Sequence, residues 1–398
     1  MNLLSERIET LAESATIAMS RKSRELREQG HDVISLSLGE PDFHVPPFIK
    51  EAAIQAIRED YSHYPPIPGY KDLREAISHK FQRDNGLGYR PEQIVVSTGA
   101  KQSIANVVLC TINPGDEVLL PAPYWVTYHE IVKLAGGIPR IIETSIDNDF
   151  KVTRKQLENQ FTARTRLVIF SSPCNPSGSV FTEDDLEEIA GFLRDHPQVL
   201  ALSDEIYEHI QFGSQHASLA SRPNVYDQVV TINGLSKGFA MTGYRLGYIG
   251  APAWLAEACT KMQGQFTSAA SSISQRAALA ALKADPEELK EMQQAFHQRR
   301  DLVIEALEAI PGIKTNHPQG AFYVFPDISA LLGRSAGGRY LESSNDLCLY
   351  LLEEARVALV PGEAFGSPDC VRISYASSED TLKEALQRIK NAVENIAP

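Results

Sequence analysis

The chain is poor in cysteine, and its few cysteines form no recognisable pattern. Its 398 residues include five cysteines, at positions 110, 174, 259, 348 and 370. The number is odd and no two cysteines stand in a CxxC arrangement, so neither a disulfide framework nor a zinc site is indicated. Unpaired thiols are typical of a reducing compartment, and we expect a cytoplasmic protein without a bound metal.

The chain also lacks long apolar runs, an excess of basic residues and the common nucleotide-binding motifs. No stretch approaches the ~18 apolar residues of a membrane span, and the acidic start of the sequence does not resemble a secretory signal. The 38 basic residues are outnumbered by 51 acidic ones, giving a net charge of −13. Neither a membrane nor a nucleic acid is therefore an expected partner. GxGxxG and GxxxxGK[ST] are both missing, so dinucleotide or P-loop binding is unsupported.

What the chain does contain is a series of short apolar runs separated by helical patterns. Helices are predicted near residues 5–28, 101–112, 126–136, 182–194 and 252–263. Apolar strands that do not alternate indicate a sheet covered on both faces, hence an α/β layered domain. The predicted strands are QIVVST (93–98), DEVLLP (116–121), GIPRIIET (137–144), RLVIFSS (166–172), VLALSDE (199–205), VVTING (229–234) and YRLGYIG (244–250).

The two ends of the chain do not follow this alternation. A charged helix is predicted near 285–310, followed by short strands, a glycine-rich loop at 333–339 and a helix near 344–355. We therefore predict a large domain over residues 46–290. A smaller α+β domain is predicted to combine residues 1–45 with residues 291–398.

Polar residues gather directly after the predicted strands, where the carboxyl ends of a parallel sheet form ligand sites. These clusters are STGAK (97–101), APYW (122–125), SSPCNPSG (171–178), SDEIYE (203–208) and NGLSKGFAMTGYR (233–245). In the last cluster, Lys237 follows a buried strand, and desolvation activates such a lysine for Schiff-base chemistry. Ser236 and Arg245 are suited to a phosphate. A solvated surface lysine is the alternative.

Asp204 ends a predicted buried strand, where a carboxylate is costly unless a cation pairs with it. A protonated pyridine nitrogen is such a cation. Tyr207 and Asn175 carry donors suited to the phenolate oxygen of the same ring. The alternative for Asp204 is a helix cap.

Three further residues have both a binding and a structural interpretation. Gly99 opens a strand–helix turn whose amides can hold a phosphate, or it marks an ordinary turn. Trp125 can stack on a ligand ring or belong to the core. Arg372, in VRISYA (371–376), can bind a carboxylate in a bidentate manner or form a structural salt bridge.

Together these segments resemble the fold-type-I, class I/II aminotransferases that use pyridoxal 5′-phosphate (PLP). The resemblance extends from LGEPDF (38–43) to VRISYA, and SKGFAMTGYRLGY (236–248) with SDEIYE and NPSG (175–178) is its most specific part. The segments SATIA (14–18), YPPIPG (64–69) and PYWVTY (123–128) are similar to the prokaryotic aspartate-aminotransferase-like subgroup I-beta. The resemblance implies a three-layer fold with a mostly parallel seven-stranded sheet plus the smaller α+β domain.

The resemblance also implies a role for each candidate residue. Lys237 would bind PLP covalently and move a proton, while Asp204 would pair with the ring nitrogen. The remaining cofactor contacts would come from Gly99, Ala100, Lys101, Trp125, Asn175, Tyr207, Ser236, Arg245 and, across a homodimer interface, Tyr64. The substrate contacts would come from Gly39, Trp125, Asn175, Arg372, Thr16 and Lys101.

The implied reaction is ping-pong transfer of an amino group from an L-amino acid, aspartate first, to 2-oxoglutarate. Thr16 and Lys101 would bind the distal carboxylate. Two positions depart from the family pattern: Gly234 lacks a hydroxyl that many relatives carry, and Ala12 replaces a basic residue of prephenate-using members, which argues against prephenate. The alternatives are a PLP-dependent lyase, an aminotransferase for aromatic or other amino acids, and a PLP-binding regulator, which would need a basic DNA-binding module.

Overall fold

A seven-stranded sheet forms the centre of the computed structural model, which describes residues 3–213 and 215–396. Its strands are β2 (Ile94–Ser97), β3 (Glu117–Pro121), β4 (Ile138–Ile142), β5 (Thr165–Ser171), β6 (Leu200–Asp204), β7 (Val229–Gly234) and β8 (Gly247–Gly250). They lie in the order β2-β8-β7-β6-β5-β3-β4, and β8 alone runs antiparallel to its neighbours. The prediction of a mostly parallel seven-stranded sheet is confirmed.

The orientation of β8 follows from the connection that precedes it. Parallel neighbours need a crossover, usually through a helix, but residues 235–246 contain only one 3₁₀ turn, Thr242–Tyr244. The chain therefore returns beside β7, with Gly234 opposite Gly247. This short return carries Lys237 at the carboxyl edge of the sheet.

Successive residues of single strands enter different apolar clusters, as a sheet buried on both faces requires. Val95 and Leu167 pack on one face, whereas Val96 and Val168 pack on the other. The helices of this layered region are α3 (Pro47–Arg58), α4 (Lys71–Asn85), α5 (Ala100–Thr111), α6 (Val126–Leu134), α7 (Arg154–Gln160), α8 (Glu183–Asp195), α9 (Ala253–Phe266) and α10 (Ser272–Lys283).

A separate apolar cluster joins the amino-terminal part of the chain to its carboxyl-terminal third. It packs Met19 and Val33 with side chains such as Phe296 and Leu386. The helices of this region are α1 (Glu6–Glu9), α2 (Ala15–Glu28), α11 (Lys290–Glu308), α12 (Ser344–Tyr350) and α13 (Glu379–Glu394). Its strands are β1 (Ile34–Ser35), β9 (Tyr323–Val324), β10 (Arg334–Ala336), β11 (Arg339–Leu341), β12 (Val357–Ala358), β13 (Val360–Pro361) and β14 (Val371–Ser374).

Two local predictions are corrected by the structure. The single helix expected over 5–28 is divided into α1 and α2, because residues 10–14 cross to α6, where the amide of Ala12 donates to Glu130 Oε2 at 2.9 Å. The glycine-rich loop expected at 333–339 belongs to the β10–β11 hairpin, whose turn uses the positive φ of Gly337 and Gly338. Among the described helices, none combines the length and apolar character needed to cross a membrane.

A buried ion pair lies beneath the loop that follows β6. Lys80 of α4 contacts the carboxylate of Glu208, and both side chains are almost fully buried. Asn85 Nδ2 donates to the second oxygen of Glu208 at 2.9 Å. Burial acts to raise the pKa of Glu208, but Lys80, together with the smaller effects of His209 and His216, outweighs it and holds this pKa well below its usual range. The pair anchors α4 to the loop that carries Tyr207.

We expect Lys80→Met to destabilise the fold by about 3–5 kcal/mol at neutral pH, because it leaves the Glu208 carboxylate buried without its cation. Since the folded pKa of Glu208 is depressed, the pair contributes fully above the unfolded carboxyl pKa of about 4.3, and less as pH falls below it. Chemical unfolding at several pH values measures the difference. The matched control is Lys71→Met on the same helix, whose pair with Glu75 is exposed; an equal loss in both variants would contradict this expectation.

Candidate active site

A cavity of about 360 Å³ opens at the carboxyl edge of the sheet. The loops after β2, β3, β5, β6 and β7 all reach it, as the strand-end pattern predicts. Twelve of the residues singled out from the sequence line this cavity: Thr16, Gly39, Ala100, Lys101, Trp125, Asn175, Asp204, Tyr207, Ser236, Lys237, Arg245 and Arg372.

Lys237 extends from the β7–β8 loop into the cavity, where its Nζ donates to the carbonyl oxygen of Gly39 at 2.5 Å. Its amine also lies 5.8 Å from the centre of the Tyr207 ring. Burial lowers the pKa of Lys237 to about 8, and the charges of Arg372 and Arg245 act in the same direction. A substantial fraction of this lysine is therefore neutral, and hence nucleophilic, near physiological pH.

Asp204 ends β6 and points its buried carboxyl group into the same cavity. Burial raises its pKa to about 6, although the Tyr128 hydroxyl donates to Asp204 Oδ2 at 2.6 Å and favours the carboxylate. The amide of Ile206 is 3.3 Å from Oδ1. This bond from the Ile206 amide is the local cap that the sequence offered as the alternative. The other carboxylate oxygen faces Tyr128 and the cavity. No side-chain cation of the described residues pairs with Asp204.

Arg372 extends from β14 and is almost fully buried. Its guanidinium donates to Asn175 Oδ1 at 2.9 Å and to the Ser37 carbonyl at 2.5 Å, while Thr16 Oγ1 lies 3.5 Å away. No carboxylate of the described residues pairs with it, so the alternative of a structural salt bridge does not hold within that part of the chain. Its Nε has no partner there either. A buried guanidinium in this state is suited to an external carboxylate.

Gly99, Arg245 and the start of α5 form a cationic end of the cavity. A Cβ atom at Gly99 would lie 2.6 Å from the Arg245 guanidinium, so the glycine permits this close approach. The first amides of α5, from Ala100 and Lys101, are directed toward this end as helix geometry requires. The ammonium of Lys101 lies 4.9 Å from the centre of the Trp125 ring, which lines the cavity beside it.

Gly234, which departs from the family pattern, has a packing reason. A Cβ atom there would lie 3.0 Å from Gly247 Cα, Ile206 Cδ1 and the Leu246 carbonyl oxygen. A side chain at this position would therefore be tightly packed between β7 and β8, and its neighbours would have to move by a few tenths of an ångström to admit it.

Tyr64, which the sequence predicts to be a site residue, lies away from the cavity. Its side chain is 94% exposed, in the loop between α3 and α4. The predicted role requires a second copy of the chain, so it stays a prediction.

Among the cavity-lining residues that sequence reasoning missed are Tyr128, Tyr323 and Glu40. The spacing of Trp125 and Tyr128 is a signal that was available, because residues three apart share a helix face. Tyr323 lies in β9, and its hydroxyl is 2.8 Å from that of Tyr207. Glu40 accepts a hydrogen bond from Thr242 and so joins the segment after β1 to the Lys237 loop.

The residues present fit PLP. The cationic end with free helix amides suits a phosphate, and buried Asp204, without a cation, suits a protonated ring nitrogen. The Asn175 amide nitrogen remains available as a donor because its oxygen accepts from Arg372. Lys237 supplies an amine of lowered pKa between these groups.

The fold and this cavity define an enzyme of the transaminase type, and comparison with known proteins gives the family. A sequence profile of the family described as Aminotransferase class I and II matches residues 31–389. The chain belongs to this family.

Relatives and solved structures agree with this assignment. A bifunctional aspartate aminotransferase and glutamate/aspartate-prephenate aminotransferase of Petunia hybrida is 49% identical, over 99% of this chain and 84% of its own length. The aspartate aminotransferase structure from Rhizobium meliloti has a TM-score of 0.97 at 41% identity and full coverage of both chains. That from Thermus thermophilus with maleate has a TM-score of 0.92 at 38% identity, covering 98% of this chain and 100% of its own.

We expect Tyr128→Phe to weaken PLP binding most strongly at mildly acidic pH. Loss of the donor raises the pKa of Asp204 above 6 by about one unit, so the carboxylate is protonated, and lost as a counter-ion, at a higher pH. Titration of the apo-protein with PLP between pH 5 and 8 measures the shift. Tyr124→Phe is the control, because its ring stacks beside His129 instead. An unchanged pH dependence in Tyr128→Phe would disprove the coupling.

Proposed function

We propose that the protein is a PLP-dependent aspartate:2-oxoglutarate aminotransferase. The observation that carries this proposal is the partly buried Lys237 amine of lowered pKa, which shares one cavity with Asp204 and with the Arg372 guanidinium, to which no carboxylate of the described residues is paired. A cofactor lysine, a counter-ion for a ring nitrogen and a receptor for an α-carboxylate are the three groups that amino-acid chemistry on PLP requires.

In this proposal each end of the cofactor has its own residues. Arg245, Ser236, Gly99 and the amides of Ala100 and Lys101 hold the phosphate. Asp204 pairs with the ring nitrogen, Trp125 stacks on the ring, and Tyr207 and Asn175 bind the ring oxygen. Bound PLP supplies an electron sink for the charge that develops at the α-carbon of the substrate.

The reaction then depends on a proton carried by Lys237. The Lys237 amine would act as the base that removes the proton from the α-carbon of the bound substrate. Its pKa of about 8 is close to the working pH, so it both accepts and returns the proton readily. Release of the first keto acid before the second substrate binds makes the kinetics ping-pong.

Substrate choice rests on two cations at different places in the cavity. Arg372 receives the α-carboxylate, with Gly39, Asn175 and Trp125 beside it. Lys101, together with Thr16, receives the distal carboxylate of aspartate or 2-oxoglutarate. Burial and the nearby Arg245 lower the pKa of Lys101, which reflects its position at the cationic end of the cavity.

Prephenate is a second candidate acceptor. The Petunia hybrida relative carries prephenate in its name, and so does an aspartate/prephenate aminotransferase of Cereibacter sphaeroides that is 44% identical over 98% of both chains. Ala12 argues against prephenate, because its side chain does not supply the cation that prephenate-using members of the family carry at this position.

We further propose that the enzyme acts in the cytoplasm as a homodimer in which Tyr64 reaches the neighbouring phosphate. The exposed position of Tyr64 supports this proposal, because it leaves the ring free to cross an interface. The large domain over 46–290 and the small one formed by 1–45 and 291–398 would close around the substrate.

The test is a half-reaction screen, in which the PLP form is mixed with single amino acids and the loss of its visible absorption is followed. We expect aspartate and glutamate to react fastest in the wild type. Lys101→Met should lower kcat/KM for aspartate by about 30- to 1,000-fold, equivalent to ~2–4 kcal/mol, because one charged contact is lost. Alanine, which has no distal carboxylate, is the internal control.

If Lys101→Met leaves aspartate unaffected while alanine and phenylalanine react equally well in the wild type, the preference for dicarboxylic substrates is wrong. If no amino acid alters the absorption, the aminotransferase proposal itself fails. A product other than the keto acid would favour a lyase. Prephenate is offered as acceptor to the aspartate-treated enzyme in a parallel assay.

A further inference from the structure

Tyr323 contacts two predicted site residues, Tyr207 and Arg372, which lie on other segments of the chain. Its hydroxyl is 2.8 Å from the Tyr207 hydroxyl. The guanidinium carbon of Arg372 lies 4.6 Å from the centre of its ring. Tyr323 is fully buried and lines the cavity.

The backbone fixes this arrangement. β9 pairs with β14 so that Tyr323 lies opposite Ser374, and Arg372, two residues earlier, points to the same face of the ladder. The opposite side of the hydroxyl is occupied by Gly39, where a Cβ atom would lie 2.2 Å from it. Gly39 also supplies the carbonyl that accepts from Lys237. The position of the Tyr323 hydroxyl is therefore restricted from both sides.

The charges nearby decide which hydroxyl donates. Arg372 beneath the Tyr323 ring makes this phenol the stronger donor, because a cation favours partial charge on its oxygen. Arg372 acts on the Tyr207 hydroxyl in the same direction, but Tyr207 also lies near the anionic Asp204, which has the opposite effect. A hydroxyl carries one proton, so a Tyr207 oxygen that accepts from Tyr323 keeps its own proton for another acceptor.

We propose that Tyr323 is a positioning residue: its hydroxyl donates to Tyr207 and thereby directs the Tyr207 proton into the cavity, while its ring holds Arg372. This inference rests on the proposed function, in which Tyr207 binds the ring oxygen of PLP. Tyr323 touches neither cofactor nor substrate in this role and acts through Tyr207 and Arg372.

The first test is the spectroscopic pKa of cofactor bound to Lys237, read from visible absorption against pH in the holoenzyme. A hydrogen-bond donor to the ring oxygen of PLP stabilises the anionic form of that oxygen. This lowers the proton affinity of the nitrogen that joins the cofactor to Lys237. We expect Tyr323→Phe to raise this pKa by about 0.5–1 unit, and Tyr207→Phe to raise it further. The double variant should match Tyr207→Phe, because Tyr323 acts through Tyr207.

Two further variants test whether the spectroscopic pKa depends on the position of the Tyr323 hydroxyl. Gly39→Ala should raise the same pKa, since the added Cβ atom displaces the Tyr323 hydroxyl. Tyr350→Phe is the matched control, because its buried hydroxyl donates to the Ala392 carbonyl, and it should leave the pKa unchanged.

The second test separates the ring from the hydroxyl by using maleate, a dicarboxylate that does not react. Tyr323→Leu should weaken maleate binding roughly three- to tenfold by removing the ring beneath Arg372. Tyr323→Phe keeps the ring and should leave this affinity nearly unchanged.

Three outcomes would overturn the proposal: an unchanged spectroscopic pKa in both Tyr323→Phe and Gly39→Ala, additive shifts in the double variant, or complete loss of cofactor from Tyr323→Phe. The last would make Tyr323 a structural part of the pocket. A wild type that shows no visible absorption with PLP would instead refute the proposed function, and this inference with it.

Discussion

The rest of the site depends on one constraint: the Lys237 amine is partly buried among charges of both signs. The amine donates to the Gly39 carbonyl oxygen at 2.5 Å. Desolvation and two arginines reduce its proton affinity, whereas Glu40 and Asp204 increase it. The resulting pKa of about 8 is a balance, and each partner is brought there by a different segment of the chain.

Two sheets of the fold bring the groups of the site together. The parallel strands deliver Asp204, Asn175 and Lys237 to one edge of a rigid sheet. The small carboxyl-terminal sheet contributes Arg372 and Tyr323 from β14 and β9. Buried charges without an opposite charge beside them are destabilising, and neither Asp204 nor Arg372 has an ion-pair partner among the described residues. Both are therefore suited to a ligand that carries the opposite charges.

Some of the site residues could be predicted from the sequence, and others could not. Lys237 and Asp204 could be found because both follow apolar strands, and the sheet then brings strand ends together. Tyr128 and Tyr323 could not be paired with their partners, because their contacts join residues 76 and 116 positions apart. The break between α1 and α2 was missed for a similar reason: it depends on Glu130, a tertiary partner of Ala12 that local periodicity does not reveal.

The central claim is that Lys237, and no other lysine, carries the cofactor. The most direct measurement is to add PLP to the protein, reduce the complex with borohydride and locate the stable adduct by peptide mass spectrometry. The account predicts one adduct per chain, on the peptide that contains Lys237. An adduct on Lys101, or one distributed over several surface lysines, would contradict it.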